Sequence, residues 1–181
     1  MLTLILGGAR SGKSRLAQKL AAQAGRVTYI ATADAGDDAE MAARIARHRT
    51  DRPAAWRTIE EPLELADAVE RAVADGDVDA VLVDCLTIWL SNLLWKHREV
   101  GPREFEDMVR AEMSRIAATD AAARRRVILV SNELGSGTVP DHPVARAFRD
   151  TQGLLNQWVA EVADEVILTV AGLPLCLKER R

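Results

Sequence analysis

Apolar and polar positions follow two distinct rhythms along this chain. The runs Leu2–Leu6, Val27–Ala31, Ala80–Val83, Val127–Val130 and Val166–Val170 are apolar almost throughout, as expected of strands buried on both faces of a parallel sheet. Between them, apolar residues return every three or four positions. The segment opening at Pro102 repeats Phe105, Val109, Met113 and Ile116, and a later one carries Phe148, Leu155, Trp158, Val159 and Val162. Both spacings predict helices with one buried face. Trp56–Ile59 reads as a short additional strand. The alternation predicts an α/β fold with a mostly parallel sheet, helices on both faces and ligands at the carboxyl ends of the strands. No boundary interrupts the pattern, so residues 1–181 are expected to form one domain.

The passage from the first strand to the first helical pattern, Ser14 to Ala24, carries the most specific chemistry. Gly7, Gly8, Ala9, Arg10, Ser11, Gly12, Lys13 and Ser14 have the spacing G-x-x-x-x-G-K-S, a nucleotide-phosphate loop in its proper strand–loop–helix setting. The glycines allow a tight turn that brings backbone N–H groups to one anion, and the following helix adds its positive end. Lys13 is placed to reach the β- and γ-phosphates, and the Ser14 hydroxyl to bind Mg²⁺. A tight turn alone requires neither the lysine nor the serine. The fold is therefore expected to be P-loop NTPase-like.

Charge and composition narrow the remaining classes. With 24 basic and 27 acidic side chains the formal net charge is −3, which argues against a nucleic-acid partner. Two cysteines make no disulfide framework and point to a reducing, cytoplasmic compartment. No apolar run approaches the roughly 20 residues a membrane span needs. The chain enters a strand without a signal-peptide pattern.

After the second strand come Thr32, Ala33 and Asp34, then a helical segment from about Ala39 bearing Arg44, Arg47, His48 and Arg49, followed by Arg52 and Pro53. Arginines so placed can neutralise phosphate and hold it bidentately. They also disfavour a protonated imidazole, leaving His48 available as nucleophile or base. The competing reading is a solvated basic helix face with an incidental histidine. Glu60 and Glu61 invite two readings as well: acceptors for a ribose or a base N–H pair, or acids opening the helix after Pro62.

The third strand ends at Asp84. Four apolar residues and then an acid, downstream of a phosphate loop, suit a second Mg²⁺ ligand, with capping of the next helix as the alternative. The stretch Cys85–Trp95 is too apolar for an exposed helix and reads as core, as the wall of a hydrophobic site or as a subunit contact. Cys85 reads as buried bulk rather than a reactive thiol. Ser131–Pro140, polar and punctuated by glycine, lies where an α/β protein binds ligand, though plain loops share that composition. His97 and His142 read as surface residues, and no Cys/His cluster has structural-zinc spacing.

Several of these segments together resemble the bifunctional adenosylcobinamide kinase/adenosylcobinamide-phosphate guanylyltransferase family of cobalamin biosynthesis. They are the phosphate loop, Tyr29–Thr32, Met41–Ile45 leading to His48 and Arg52-Pro53, Trp56-Arg57-Thr58-x-Glu60, Cys85-Leu86-Thr87 with Asn92-Leu93-Leu94, Ser131–Pro140, and Phe148-Arg149-Asp150. The resemblance reaches from the first strand to about Leu168. The His48-to-Glu60 block and the Asn132-to-Pro140 loop are its most specific parts. It implies two reactions: a nucleoside triphosphate, ATP or GTP, phosphorylates adenosylcobinamide, and GTP then transfers GMP to the new phosphate through a guanylyl-histidine, for which His48 matches. It extends nucleotide contacts to Thr32, Ala33, Asp34, Arg49, Thr50, Asp51, Arg52, Glu60 and Asp84, and implies a homotrimer. The family often has Glu where this chain has Asp84; the shorter acid would reach Mg²⁺ directly or through water. Two other readings of the residues are an ordinary small-molecule kinase with a basic lid and no covalent step, and a GTP-hydrolysing switch. The switch lacks its Asn-Lys-x-Asp guanine motif here.

Overall fold

The computed structural model describes residues 1–34, 36, 42, 43, 46, 49, 52–123 and 125–179. Seven strands form one sheet in the order β3-β2-β4-β5-β1-β6-β7. They are β1 (Leu2–Gly7), β2 (Val27–Ala31), β3 (Arg57–Glu60), β4 (Ala80–Asp84), β5 (Arg126–Asn132), β6 (Glu165–Val170) and β7 (Leu173–Lys178). All neighbours pair in parallel except β6 and β7, which form an antiparallel hairpin at one edge. The helices that lie fully within the described residues are α1 (Lys13–Ala22), α2 (Leu65–Ala74), α3 (Leu86–Lys96), α4 (Pro102–Ala123) and α5 (Pro143–Val162). The expected α/β architecture is observed.

The five apolar runs are all strands. The short strand expected at Trp56–Ile59 is present one residue further on. The helix expected from about residue 39 lies largely outside the described residues.

Strand alternation sorts the core into two clusters. On one face Leu2, Leu4, Leu6, Val81, Val83, Val127 and Leu129 pack with the apolar sides of α2, α3, α4 and α5. On the other, Ile5, Tyr29, Ala31, Leu82, Ile128 and Val130 pack with Ala17 and Ala21 of α1. The first face is thick. Phe105, Val109, Met113 and Ile116 of α4 are buried as their spacing predicts, and Arg115 on the same helix pairs with Asp67 and Glu70 of α2. Trp89 of α3 is fully buried and donates its indole N–H to the Leu63 carbonyl at 2.8 Å; truncating such a side chain costs about 3–5 kcal/mol.

Three expectations differ from the structure. Val162, placed by spacing on the buried face of α5, is 54% exposed: the helix ends there, and the next residue, Ala163, is the one that is buried. Trp95, at the end of the apolar helix, is 75% exposed, with the Arg98 guanidinium 5.4 Å from its ring centre. The β7 strand was not anticipated: Leu-Pro-Leu-Cys-Leu carries a proline, which belongs only at sheet edges, and β7 is an edge. No described helix is long and apolar enough to cross a membrane.

A nucleotide cleft at the strand ends

The phosphate loop joins β1 to α1 across the carboxyl end of the sheet. Arg10 and Gly12 both take left-handed backbone, with φ of 57° and 94°. Such changes of hand gather successive N–H groups into an anion-binding concavity. Gly7 admits no side chain, because a Cβ there would lie 2.4 Å from Ser11 Oγ and 2.6 Å from the Thr169 carbonyl oxygen. Helix α1 has no acid in its first turn and no side-chain cap on its leading N–H groups, so its positive end remains open to an anion. The Lys13 ammonium folds back to the Gly8 carbonyl at 3.0 Å.

Ser14 and Asp84 come together from different elements. The Ser14 hydroxyl donates to Asp84 Oδ1 at 3.3 Å, and the Tyr29 hydroxyl donates to Asp84 Oδ2 at 2.9 Å. Register explains the triad: Ala31 pairs with Asp84 across β2 and β4, so the acid emerges beside the tyrosine two residues back on the same face. Asp84 does not cap α3; Cys85 occupies that position without a side-chain hydrogen bond. Burial, with the Asp84 charge adding to it, holds the Tyr29 phenol far above its ordinary pKa, so it remains a neutral donor. Ser14 and Asp84 offer hard oxygens in the arrangement Mg²⁺ favours, with the remaining positions left to phosphates and water. The residues fit that ion.

These groups line one cleft of about 190 Å³, with Ala9, Arg10, Lys13, Ala33, Arg52, Glu60, Cys85, Ile88 and Asn132 completing its wall. Arg52 stacks over the Tyr29 ring, 3.8 Å from its centre. Its Nε and one terminal nitrogen, Nη1, are buried without a hydrogen-bond partner among the described residues. Unpaired buried guanidinium nitrogens are costly, and a polyanion is the natural complement. Glu60 lies at the rim and pairs with Arg49. The neighbouring glutamates turn different ways: Glu61 Oε1 accepts from the N–H groups of Leu63 and Glu64 ahead of α2, while Glu60 lines the cleft. Desolvation pushes the Cys85 thiol up to about 11, in keeping with bulk rather than a nucleophile.

Thr32 and Asp34 are not among the residues that line this cleft. Thr32 is fully buried; its hydroxyl donates to the Cys85 carbonyl at 2.8 Å and accepts from the Cys85 N–H at 2.9 Å. Asn92 donates to the carbonyls of Thr32 and Pro62, at 2.8 and 3.1 Å. This latch ties β2 to α3, so Thr32 shapes the cleft from beneath. Asp34 is exposed and accepts from the Gly36 N–H. Arg44, Arg47, His48, Thr50 and Asp51 lie outside the described residues. The loop after β5 folds on Glu133, which accepts from the Gly135 N–H and the Ser136 hydroxyl at 2.7 Å each; those bonds, the hydroxyl's foremost, lower its pKa. His142, exposed, caps α5 by accepting from the Val144 N–H.

Comparison with known proteins agrees with this geometry. The family model for cobinamide kinase / cobinamide phosphate guanyltransferase matches residues 3–177. The bifunctional adenosylcobalamin biosynthesis protein CobP of Pseudomonas aeruginosa is 50% identical, over 98% of each chain. The bifunctional adenosylcobalamin biosynthesis protein CobU of Salmonella typhimurium is 44% identical, and that of Escherichia coli 40%, each over 98% of this chain and 100% of the relative.

Proposed function

The chain belongs to the cobinamide kinase / cobinamide phosphate guanyltransferase family, and we propose that it phosphorylates adenosylcobinamide with ATP or GTP and then transfers GMP from GTP to that phosphate. The products are adenosylcobinamide-GDP and pyrophosphate. The observation that carries this reading is the convergence of Lys13, Ser14, Asp84 and the Arg52 nitrogens, buried without a partner among the described residues, in one cleft.

Phosphoryl transfer asks a protein mainly for positioning and charge neutralisation. Lys13 and the loop N–H groups take the terminal phosphates. Ser14 and Asp84 would hold Mg²⁺, which when bound draws negative charge from the phosphate oxygens. Arg52, kept flat by Tyr29, faces a further phosphate. In the second reaction we assign the nucleophile to His48. Its imidazole nitrogen forms the bond to the α-phosphorus while the bond to the bridging oxygen breaks and pyrophosphate leaves from the loop. A phosphate oxygen of the acceptor then takes the GMP and frees the histidine. Arg47 and Arg49 flank His48 in sequence, Arg52 follows four residues on, and together they supply positive charge for that step.

The test is direct. GTP labelled at the α-phosphorus should leave an acid-labile, base-stable label on the protein, as a phosphoramidate does. His48→Ala should lose that label and guanylyl transfer by orders of magnitude while keeping the kinase reaction. A variant that is still labelled removes His48 as nucleophile.

We also propose a homotrimer in the cytoplasm. Leu173, Leu175 and Leu177 of β7, with Val170 opposite Leu173, present an apolar edge to solvent, the kind of surface an assembly covers. A mass near the single-chain 19.8 kDa in light scattering would end the trimer proposal.

A further inference from the structure

Asn132 is the residue of the cleft that none of the contacts above explains. It ends β5, directly opposite Gly7, the first residue of the phosphate loop. Alternation along β5 turns Ile128 and Val130 toward the α1 face, and Asn132 follows them, beside Lys13, Ser14 and Asp84 in the same wall. Its carboxamide Oδ1 is buried and meets no hydrogen-bond partner among the described residues. A buried acceptor without a donor is costly, and where one persists a ligand or water completes it.

The backbone behind that side chain is unusually well fixed. The Asn132 N–H donates to Thr87 Oγ1 at 2.8 Å, and its carbonyl accepts from Asn156 Nδ2 at 2.9 Å. Asn156 is held in turn by the Ser131 hydroxyl at 2.6 Å and by Gln152 at 3.1 Å, and Gln152 also donates to Ser131 at 3.0 Å. This polar cluster sits on the opposite face of the sheet, where an apolar contact would fill the space at less cost. Its effect is to set one residue at the strand end within narrow limits, as a group that aligns a reacting atom requires.

The chemistry of Oδ1 selects its partner. A carboxamide oxygen only accepts, so it gains nothing from an ionised phosphate, whose oxygens also only accept. The kinase step of the reading proposed above, on which this inference rests, brings one donor to the terminal phosphate: the hydroxyl of the acceptor. We propose that Asn132 Oδ1 accepts the hydrogen bond of that hydroxyl and aims its oxygen at the γ-phosphorus. The hydroxyl oxygen forms the new bond, the bond to the β–γ bridging oxygen breaks, and the nucleoside diphosphate leaves. The hydroxyl proton passes to an oxygen of the transferred group, because a carboxamide is no base near neutral pH.

The experiment compares the full-length unmodified protein with Asn132→Ala in three measurements. Kinase turnover with adenosylcobinamide should fall by about 100-fold, the scale of losing alignment of a reacting atom. Nucleotide affinity, titrated with a non-hydrolysable GTP analogue, should change by less than about twofold, since Lys13 and the loop N–H groups that take the phosphates are left intact. Guanylyl transfer to acceptor supplied already phosphorylated should fall by less than about threefold, because its attacking oxygen carries no hydroxyl proton. Turnover near normal overturns the inference. A loss of nucleotide affinity matching the loss of turnover also overturns it, by making Asn132 a nucleotide ligand. If Asn132→Ala lowers the melting temperature, Asn132→Ser is measured by the same criteria. An unmodified protein that phosphorylates no adenosylcobinamide refutes the reading of the cleft, and this inference with it; an active protein whose variant is unaffected refutes this inference alone.

Discussion

The two walls of the cleft are held in place by different forces. Lys13, Ser14, Asp84 and Asn132 stand at the ends of β1, β4 and β5 or on the helix that follows. Those three strands are central and carry packed side chains on both faces. Moving any of these groups means moving the core. Glu60 ends β3, an edge strand whose residues are mostly exposed, and its ion pair with Arg49 joins two half-exposed side chains. Exposed pairs of this kind contribute about 0–1 kcal/mol. The central wall is thus built for placing the reacting groups, and the edge wall for admitting and releasing what carries them.

The largest expected effect tests whether one central wall serves both reactions. Lys13→Ala should lower both the kinase and the guanylyl transfer rates by about a thousandfold, since the same cradle takes the transferred phosphoryl group and the departing pyrophosphate. Normal turnover in either assay would show that the two reactions use different walls. Asp84→Asn should act next, lowering both rates by about a hundredfold and raising the Mg²⁺ concentration at half-maximal rate, with unfolding little changed. An unchanged Mg²⁺ dependence would make Asp84 a partner of Tyr29 and Ser14 only.

How far each wall was legible in the sequence follows from the same division. The central wall is written in local patterns. The loop spacing requires no knowledge of the fold, and Asp84 stands out as an acid ending an apolar run. The edge wall depends on which of two neighbouring residues turns inward. From the local pattern alone, apart from the family resemblance, Glu60 and Glu61 cannot be told apart until β3 is in register with β2, where Glu60 falls opposite Ala31. Thr32 lies beside the site in sequence, yet its hydroxyl belongs to the latch with Cys85. The composition of the loop from Ser131 suits a ligand loop and a plain loop alike, and the place of Asn132 comes from partners on α3 and α5 that no local pattern reveals. The α/β alternation was fully legible because burial on both faces leaves continuous apolar runs. Strand β7 was not, since its run is short, carries a proline and is exposed nearly throughout, so no burial marks it.

Tyr29 joins the two walls, and the smallest predicted effect separates its two connections. Within the apolar run Val27–Ala31 it looks like one more core residue, and it is fully buried. Its ring supports Arg52 from below, 3.8 Å from ring centre to guanidinium, while its hydroxyl restrains the Asp84 carboxylate at 2.9 Å. Tyr29→Phe keeps the ring, so the stack on Arg52 persists. It removes the hydrogen bond that turns Oδ2 away and leaves Oδ1 to Ser14. A hydrogen bond to a charged group contributes about 1.5–3 kcal/mol, but water can replace the hydroxyl at the edge of an open cleft and recover much of that. The expected outcome is therefore a rise of about three- to tenfold in the Mg²⁺ concentration at half-maximal rate, the factor 1 kcal/mol or so produces. Nucleotide affinity measured without Mg²⁺ should remain within about twofold, because the arginine side of the junction is intact. The opposite result, weakened metal-free nucleotide binding with Mg²⁺ dependence unchanged, would mean that the hydroxyl acts through the arginine and that the two walls meet at Arg52 rather than at Asp84.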